Sequence, residues 1–194
     1  MPPLGVLSKE REAYYVPMTT YDLHPLVVHF PIAFLSFATV LEVVRLKILT
    51  RQEWYFYTKA VLLIVGVLWG FASLQTGEGA ARLYQGTSIV QTIAVHSLFA
   101  NLSLIAYGML AASLLLEWIG RSGGLGPKFP RPILRTWAVI SHVERRIFSV
   151  PVRMILSLMG LACLMIVGAL GASIVYGPEI DPAVSLIHRI FVGQ

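Results

Sequence analysis

Charged side chains are scarce in this sequence, at 13% of its 194 residues, where average soluble chains carry about 25%. Hydrophobic residues make up 56%, a proportion that excludes a water-soluble domain and points to an integral membrane protein. Cysteine is scarcer still. The single Cys163 rules out structural disulfides, Cys-x-x-Cys redox pairs, iron-sulfur clusters and covalently attached c-type haem. Within its apolar run it reads as a small core hydrophobe. Also missing are internal repeats, low-complexity tracts, a phosphate-binding glycine loop, a nucleophile elbow and a zinc-protease helix; the glycines at 123–126 read as a linker. The opening residues, with Lys9, Glu10, Arg11 and Glu12, lack the apolar core of a cleavable secretory signal. The first membrane span is therefore expected to serve as the insertion signal.

Four uncharged apolar stretches stand out, at 25–41, 60–77, 88–116 and 154–176. Each is long enough to cross a bilayer at about 1.5 Å per residue. They predict spans at about 25–45, 57–77, 88–116 and 152–176 in one membrane domain covering 1–194, with a basic connection at 117–151. No separate catalytic domain fits in the remainder. The predicted fold class is all-α: an integral membrane four-helix bundle, with an interfacial cytoplasmic helix between spans 3 and 4 and a short C-terminal amphipathic helix outside.

The formal net charge of +5 acquires a topological meaning from where the cations lie. Arg45, Lys47, Arg51 and Lys59 surround the first connection, and Arg121, Lys128, Arg131, Arg135, Arg145, Arg146 and Arg153 the third, which is eleven of fifteen. The positive-inside rule then places both termini and the 75–87 turn outside. The charge forms no nucleic-acid surface. In the third connection a loop-like 121–132 stretch leads into a predicted helix at 133–148, where Trp137, Ile140, Ile147 and Phe148 alternate with Arg135, Arg145 and Arg146. That pattern suits the membrane surface, with arginine stems reaching anionic headgroups, although a docking face for a cytoplasmic partner would look similar. The tail at 181–191 opens with an Asp-Pro pair and reads as a short outer helix. His188 within it is expected at the surface.

Ionisable residues inside membrane spans are functional candidates by default. His29, one turn inside the first span, and His96, about two turns inside the third, are expected at comparable depth near the outer face. Pro31 loosens the helix beside His29 because it cannot bond the carbonyl of Val27. Ala33 and Ser36 follow His29 at helical spacing, as Ala100, Ser103 and Tyr107 follow His96, so both faces are lined by small or polar groups. Gly66, Gly70, Ser73 and Gly77 share one face of the second span. That face is either a close helix-packing surface or the wall of a flat cofactor. Glu78 and Arg82 lie at the outer mouth. Glu78 is a proton acceptor, an orienting partner for a histidine or a solvated turn residue; Arg82 is a partner for a propionate or a membrane-edge anchor.

Imidazoles on two helices suit three chemistries: axial ligation of haem, binding of another metal, and hydrogen bonding to a quinone. Zinc and di-iron centres want three or four ligands, usually with carboxylates among them, and no Asp or Glu lies at the depth of His29 and His96. A b-type haem needs two nitrogens, an apolar slot and water near its propionates. His24 competes for the ligand role. It lies five residues before His29, about 140° round a helix, and is expected at the interface, bonding Asp22, Glu78 or a propionate.

The opening His-Pro-Leu-x-Val-His-Phe-Pro-Ile-Ala at 24–33 carries a family resemblance, extended by Thr-Gly-Glu-x-Ala at 76–80, by His96 with Asn101, and by a glycine-rich fourth span ending in Val-Tyr at 168–176. The sequence resembles the bacterial membrane family called domain of unknown function 2231. The resemblance implies a four-helix membrane protein of the bacterial cytoplasmic (inner) membrane. Some relatives are joined to Rieske-type or c-type cytochrome modules, which implies electron transfer and histidines that hold haem. Many members carry a further histidine after the terminal Val-Tyr, where this chain has Gly177-Pro178-Glu179.

Residues and resemblance together give the expectation of a b-type-cytochrome-like electron-transfer subunit of a larger respiratory or photosynthetic complex. Haem b would sit between His29 and His96, with His24 and Arg82 at its propionates and Gly66 and Gly70 walling the slot. The expected partners are the lipid bilayer, other membrane subunits and an extracytoplasmic redox protein. The rivals are a cofactor-free structural or assembly subunit and a quinone-binding subunit using His29, His96 and Glu78. A transporter is disfavoured by four short spans without inverted repeats.

Overall fold

A computed structural model describes residues 23–125 and 129–193. Lys9, Arg11, Asp22 and Lys128, used above for topology and for a bond to His24, lie outside the described residues. The described chain is helical, in the order α1 (His24–Val27), α2 (His29–Val43), α3 (Lys47–Thr50), α4 (Glu53–Ala81), a 3-10 turn (Arg82–Tyr84), α5 (Val90–Arg121), α6 (Arg131–Ile147), α7 (Val150–Tyr176) and α8 (Pro182–Phe191). Four stretches are long and apolar enough to cross a membrane: His24–Val43, Glu53–Tyr84, Val90–Arg121 and Val150–Tyr176.

These four stretches pack in a cycle: α2 lies against α4 and α7, and α5 against α4 and α7. Short side chains on the facing surfaces let the backbones approach. A Cβ at Gly66 would lie 2.6 Å from Leu35, one at Gly70 2.7 Å from Leu104, and one at Gly160 2.7 Å from the Tyr107 ring. Each glycine is thus a notch filled by a large side chain of the neighbouring helix. Around these contacts Leu35, Ala38, Ala60, Leu63, Leu110 and Leu114 form a buried core. Polar groups within it are bonded locally. The Tyr107 and Thr39 hydroxyls meet at 2.7 Å, and Ser103 donates to the Gly160 carbonyl at 3.2 Å. Most other apolar surface faces outward, as a lipid-immersed bundle requires.

Several boundaries differ from the sequence reading. Residues 76–80 were expected in a turn beyond the second span, yet α4 continues helically to Ala81. In a helix that reaches the membrane edge, intrahelical bonds satisfy these backbone groups more fully than an open glycine turn would. The first span begins at His24, because Pro25 occupies the first turn, where its missing N–H costs nothing. The chain pauses at Val28 between α1 and α2. Pro31 accounts for the pause, since it leaves the Val27 carbonyl without its usual donor. In α8, Asp181 caps the helix by accepting from the Ala183 N–H at 2.7 Å.

Candidate functional site

The bundle has two chemically distinct ends. The starts of α1 and α5 meet the finishes of α4 and α7 at a histidine end, with α8 beside them; the opposite, basic end holds α3, α6 and most of the arginines.

At the histidine end His24 packs on Gly77 of α4 and His96 on Gly171 of α7. Both imidazoles are partly buried. His29 is exposed, and no hydrogen bond holds it among the described residues. The five-residue separation explains the difference: two positions about 140° apart cannot both face inward, and the helix turns His24 toward α4. His29, expected to face inward, therefore lies on the outer face of its helix.

Local hydrogen bonding positions the His24 ring. Its Nδ1 lies 3.0 Å from Thr76 Oγ1. The Thr76 hydroxyl has one proton, and it lies 3.1 Å from the Ala72 carbonyl and 3.0 Å from that of Ser73. If that proton stays on the helix, Thr76 accepts from Nδ1–H and His24 keeps its lone pair on Nε2; if it turns to Nδ1, the roles reverse. A Cβ at Gly77 would lie 3.0 Å from His24 Cε1, so this position leaves just enough room for the ring. His96 sits in a matching notch, 3.5 Å from where a Gly171 Cβ would be. Its Nδ1 is buried and makes no hydrogen bond within the described chain. A buried polar atom without a partner costs about 1–3 kcal/mol. Arg153 Nε and the Ser141 hydroxyl, at the basic end, are buried without a partner in the same way.

The other sequence candidates lie elsewhere. Gly66 and Gly70 face Leu35 and Leu104, so protein occupies the wall that was offered to a cofactor. Glu78 and Arg82 are exposed at the rim and form no ion pair among the described residues. His188 is half-buried rather than free at the surface: its Nε2 lies 3.3 Å from Thr92 Oγ1, one helical turn from His96. Phe191 packs edge-on against Phe99, and Gln91 donates to the Val192 carbonyl at 3.2 Å. Together these contacts hold α8 across the start of α5.

Sequence reasoning missed the basic end altogether. Glu42, with a side chain 2% exposed, forms an ion pair with Lys59 and a longer one with Arg45 at 3.5 Å. The Tyr55 hydroxyl donates to the Val44 carbonyl at 2.7 Å and contacts that of Leu41. A second network joins three helices. Arg153 of α7 donates to Glu117 of α5 at 2.7 Å and to Glu144 of α6 at 2.8 Å. Ser113 donates to Glu144 at 2.6 Å, and Arg121 to Glu117 at 2.6 Å. The available signal was the rarity of acids: Glu42, Glu117 and Glu144 are three of only ten, and each stands among arginines or lysines at a predicted membrane edge.

Four apolar helices arranged in this way, with ion pairs at one end and imidazoles at the other, define a four-span membrane protein. The family model described as predicted membrane protein, domain of unknown function 2231, matches residues 20–181. The chain belongs to that family. No curated protein and no solved structure matches it.

Proposed function

We propose that the protein is a small b-type-cytochrome-like subunit that passes electrons near the outer face of the bacterial inner membrane, as part of a larger respiratory or photosynthetic complex. The histidine end faces outward on this reading, because most lysines and arginines lie at the other end. The observation that carries it is the pair of imidazoles on separate helices, one bonded at Nδ1 to Thr76 and the other with a buried, unbonded Nδ1. The bond between His24 and Thr76 is of the kind that orients metal-bound histidines through the nitrogen opposite the metal. Among the described residues no three His, Cys, Asp or Glu side chains gather, which suits a two-nitrogen haem better than zinc.

His24 and His96 would hold the group, which when bound would supply one-electron transfer. The chain itself orients the His24 ring through Thr76, clears space for both rings with Gly77 and Gly171, and surrounds them with apolar helices. Arg82, exposed at the rim, is placed to meet a propionate or an extracytoplasmic redox partner. Dithionite reduction of the purified protein is expected to give a sharp haem α-band. His24→Ala and His96→Ala abolish it and His29→Ala leaves it intact. A colourless, iron-free preparation overturns the reading.

The filled notches at Gly66, Gly70 and Gly160 favour a second reading, a cofactor-free structural subunit whose imidazoles bond internally or to a neighbouring subunit. On that reading the His24→Ala, His96→Ala double variant still incorporates stably into its complex.

A further inference from the structure

Helix α6 divides into three strips along its length. Leu134, Trp137, Ser141, Glu144 and Phe148 recur at alternating offsets of three and four and are its less exposed residues, with Glu144 buried. Ile133, Thr136, Ile140, Val143 and Ile147 repeat the same spacing one position earlier, and all five are exposed. Arg131, Arg135, His142, Arg145 and Arg146 occupy the remaining side, also exposed, and none of these arginines makes an ion pair among the described residues. The first strip faces the bundle, the second is apolar without a partner in the described chain, and the third is cationic.

The depth at which α6 is held decides what covers the apolar strip. Glu144 bonds Ser113, which lies eight residues before the end of α5, or about 12 Å along the helix axis. It also bonds Arg153, one turn into α7. The second half of α6 is therefore drawn level with the ends of two membrane spans rather than standing clear of them. At that level an isoleucine-valine strip meets the boundary between acyl chains and headgroups, while arginines on the far side meet phosphates.

We propose that α6 lies in the plane of the membrane and binds anionic phospholipid, its apolar strip seated among the upper acyl segments and its four arginines gathering negatively charged headgroups. This inference is independent of any cofactor at the histidine end. Each Lys or Arg near an anionic surface contributes about 1 kcal/mol. Exposed arginines on a helix tethered at both ends therefore enrich such lipid rather than merely anchor the chain.

The test uses the full chain in a Cys163→Ala background, with a fluorophore on Ile140→Cys or His142→Cys, in nanodiscs of phosphatidylcholine with or without phosphatidylglycerol. The label at 140 is expected to be quenched by shallow doxyl lipids and shielded from iodide, and that at 142 to show the reverse. The Arg131→Gln, Arg135→Gln, Arg145→Gln, Arg146→Gln variant should lose at least about twofold of its preference for phosphatidylglycerol, read from the lipid retained after purification. Equal iodide quenching at both sites overturns the proposal. So does a label at 140 shielded from iodide and lipid alike, which marks a protein partner, or an unchanged lipid preference in the four-arginine variant.

Discussion

The two ends of the bundle treat buried polarity in opposite ways. At the basic end Glu42 and Glu144, both nearly inaccessible, face cations from other helices, and half-buried Glu117 does the same. At the histidine end His24 is bonded once through Nδ1, and His96 keeps an unpartnered nitrogen. Desolvating a charge costs several kcal/mol unless it is paired and bonded. The basic end pairs its charges within the chain, although Arg153 Nε and the Ser141 hydroxyl are buried there without a partner. At the histidine end the unpartnered atom is a ring nitrogen of His96, on a group that no ion pair holds among the described residues.

The contrast breaks most sharply at Glu42. Replacing it with alanine strands Lys59 and is expected to cost about 3–5 kcal/mol, read as a lowered unfolding midpoint in detergent. The Glu42→Leu, Lys59→Met pair should recover most of that loss. Full recovery would show that the ion pair adds little net stability, whereas no recovery would give it a role beyond stability. Next in size is Gly66→Ala, which forces Leu35 from its notch and is expected to cost about 1–3 kcal/mol. A thermal melt within error of the unmodified protein would mean that the helices separate freely there. Thr76→Val removes the hydrogen bond to His24 and should cost about 0.5–1.5 kcal/mol. If the imidazole is a ligand, the same change also shifts the absorption or potential of the bound group, which a merely structural bond would not do. The smallest effect is expected at Gly171→Ala, where a methyl group makes ordinary contact with His96. Stability there should stay within about 0.5 kcal/mol, while Gly77→Ala, tighter against His24, should be measurably worse in the same assay.

The four long helices were legible because apolar runs of this length have few other uses, and both amphipathic helices announced themselves by period. The site was legible only by residue type. His29 looked better placed than His24 because it stood inside the apolar run, but rotation about the helix, and not depth, decides which side chain faces a neighbour. The small-residue face of α4 was correctly located, yet the sequence had no means of telling a notch that receives Leu35 from one that receives an imidazole. That distinction lies in the partner helix. The acids of the basic end were hidden for a related reason: Glu144 lies 31 residues from Ser113 and nine from Arg153, separations that no local pattern connects.

The Arg153 guanidinium also has a bearing on biogenesis. It belongs to α7, which leaves the ribosome after the two carboxylates that it bridges, on α5 and α6. Until it arrives, Glu117 has only its exposed neighbour Arg121 and Glu144 only the Ser113 hydroxyl. Helix α7 therefore brings the cation that joins the three helices, and a chain truncated before it would leave α6 unlatched.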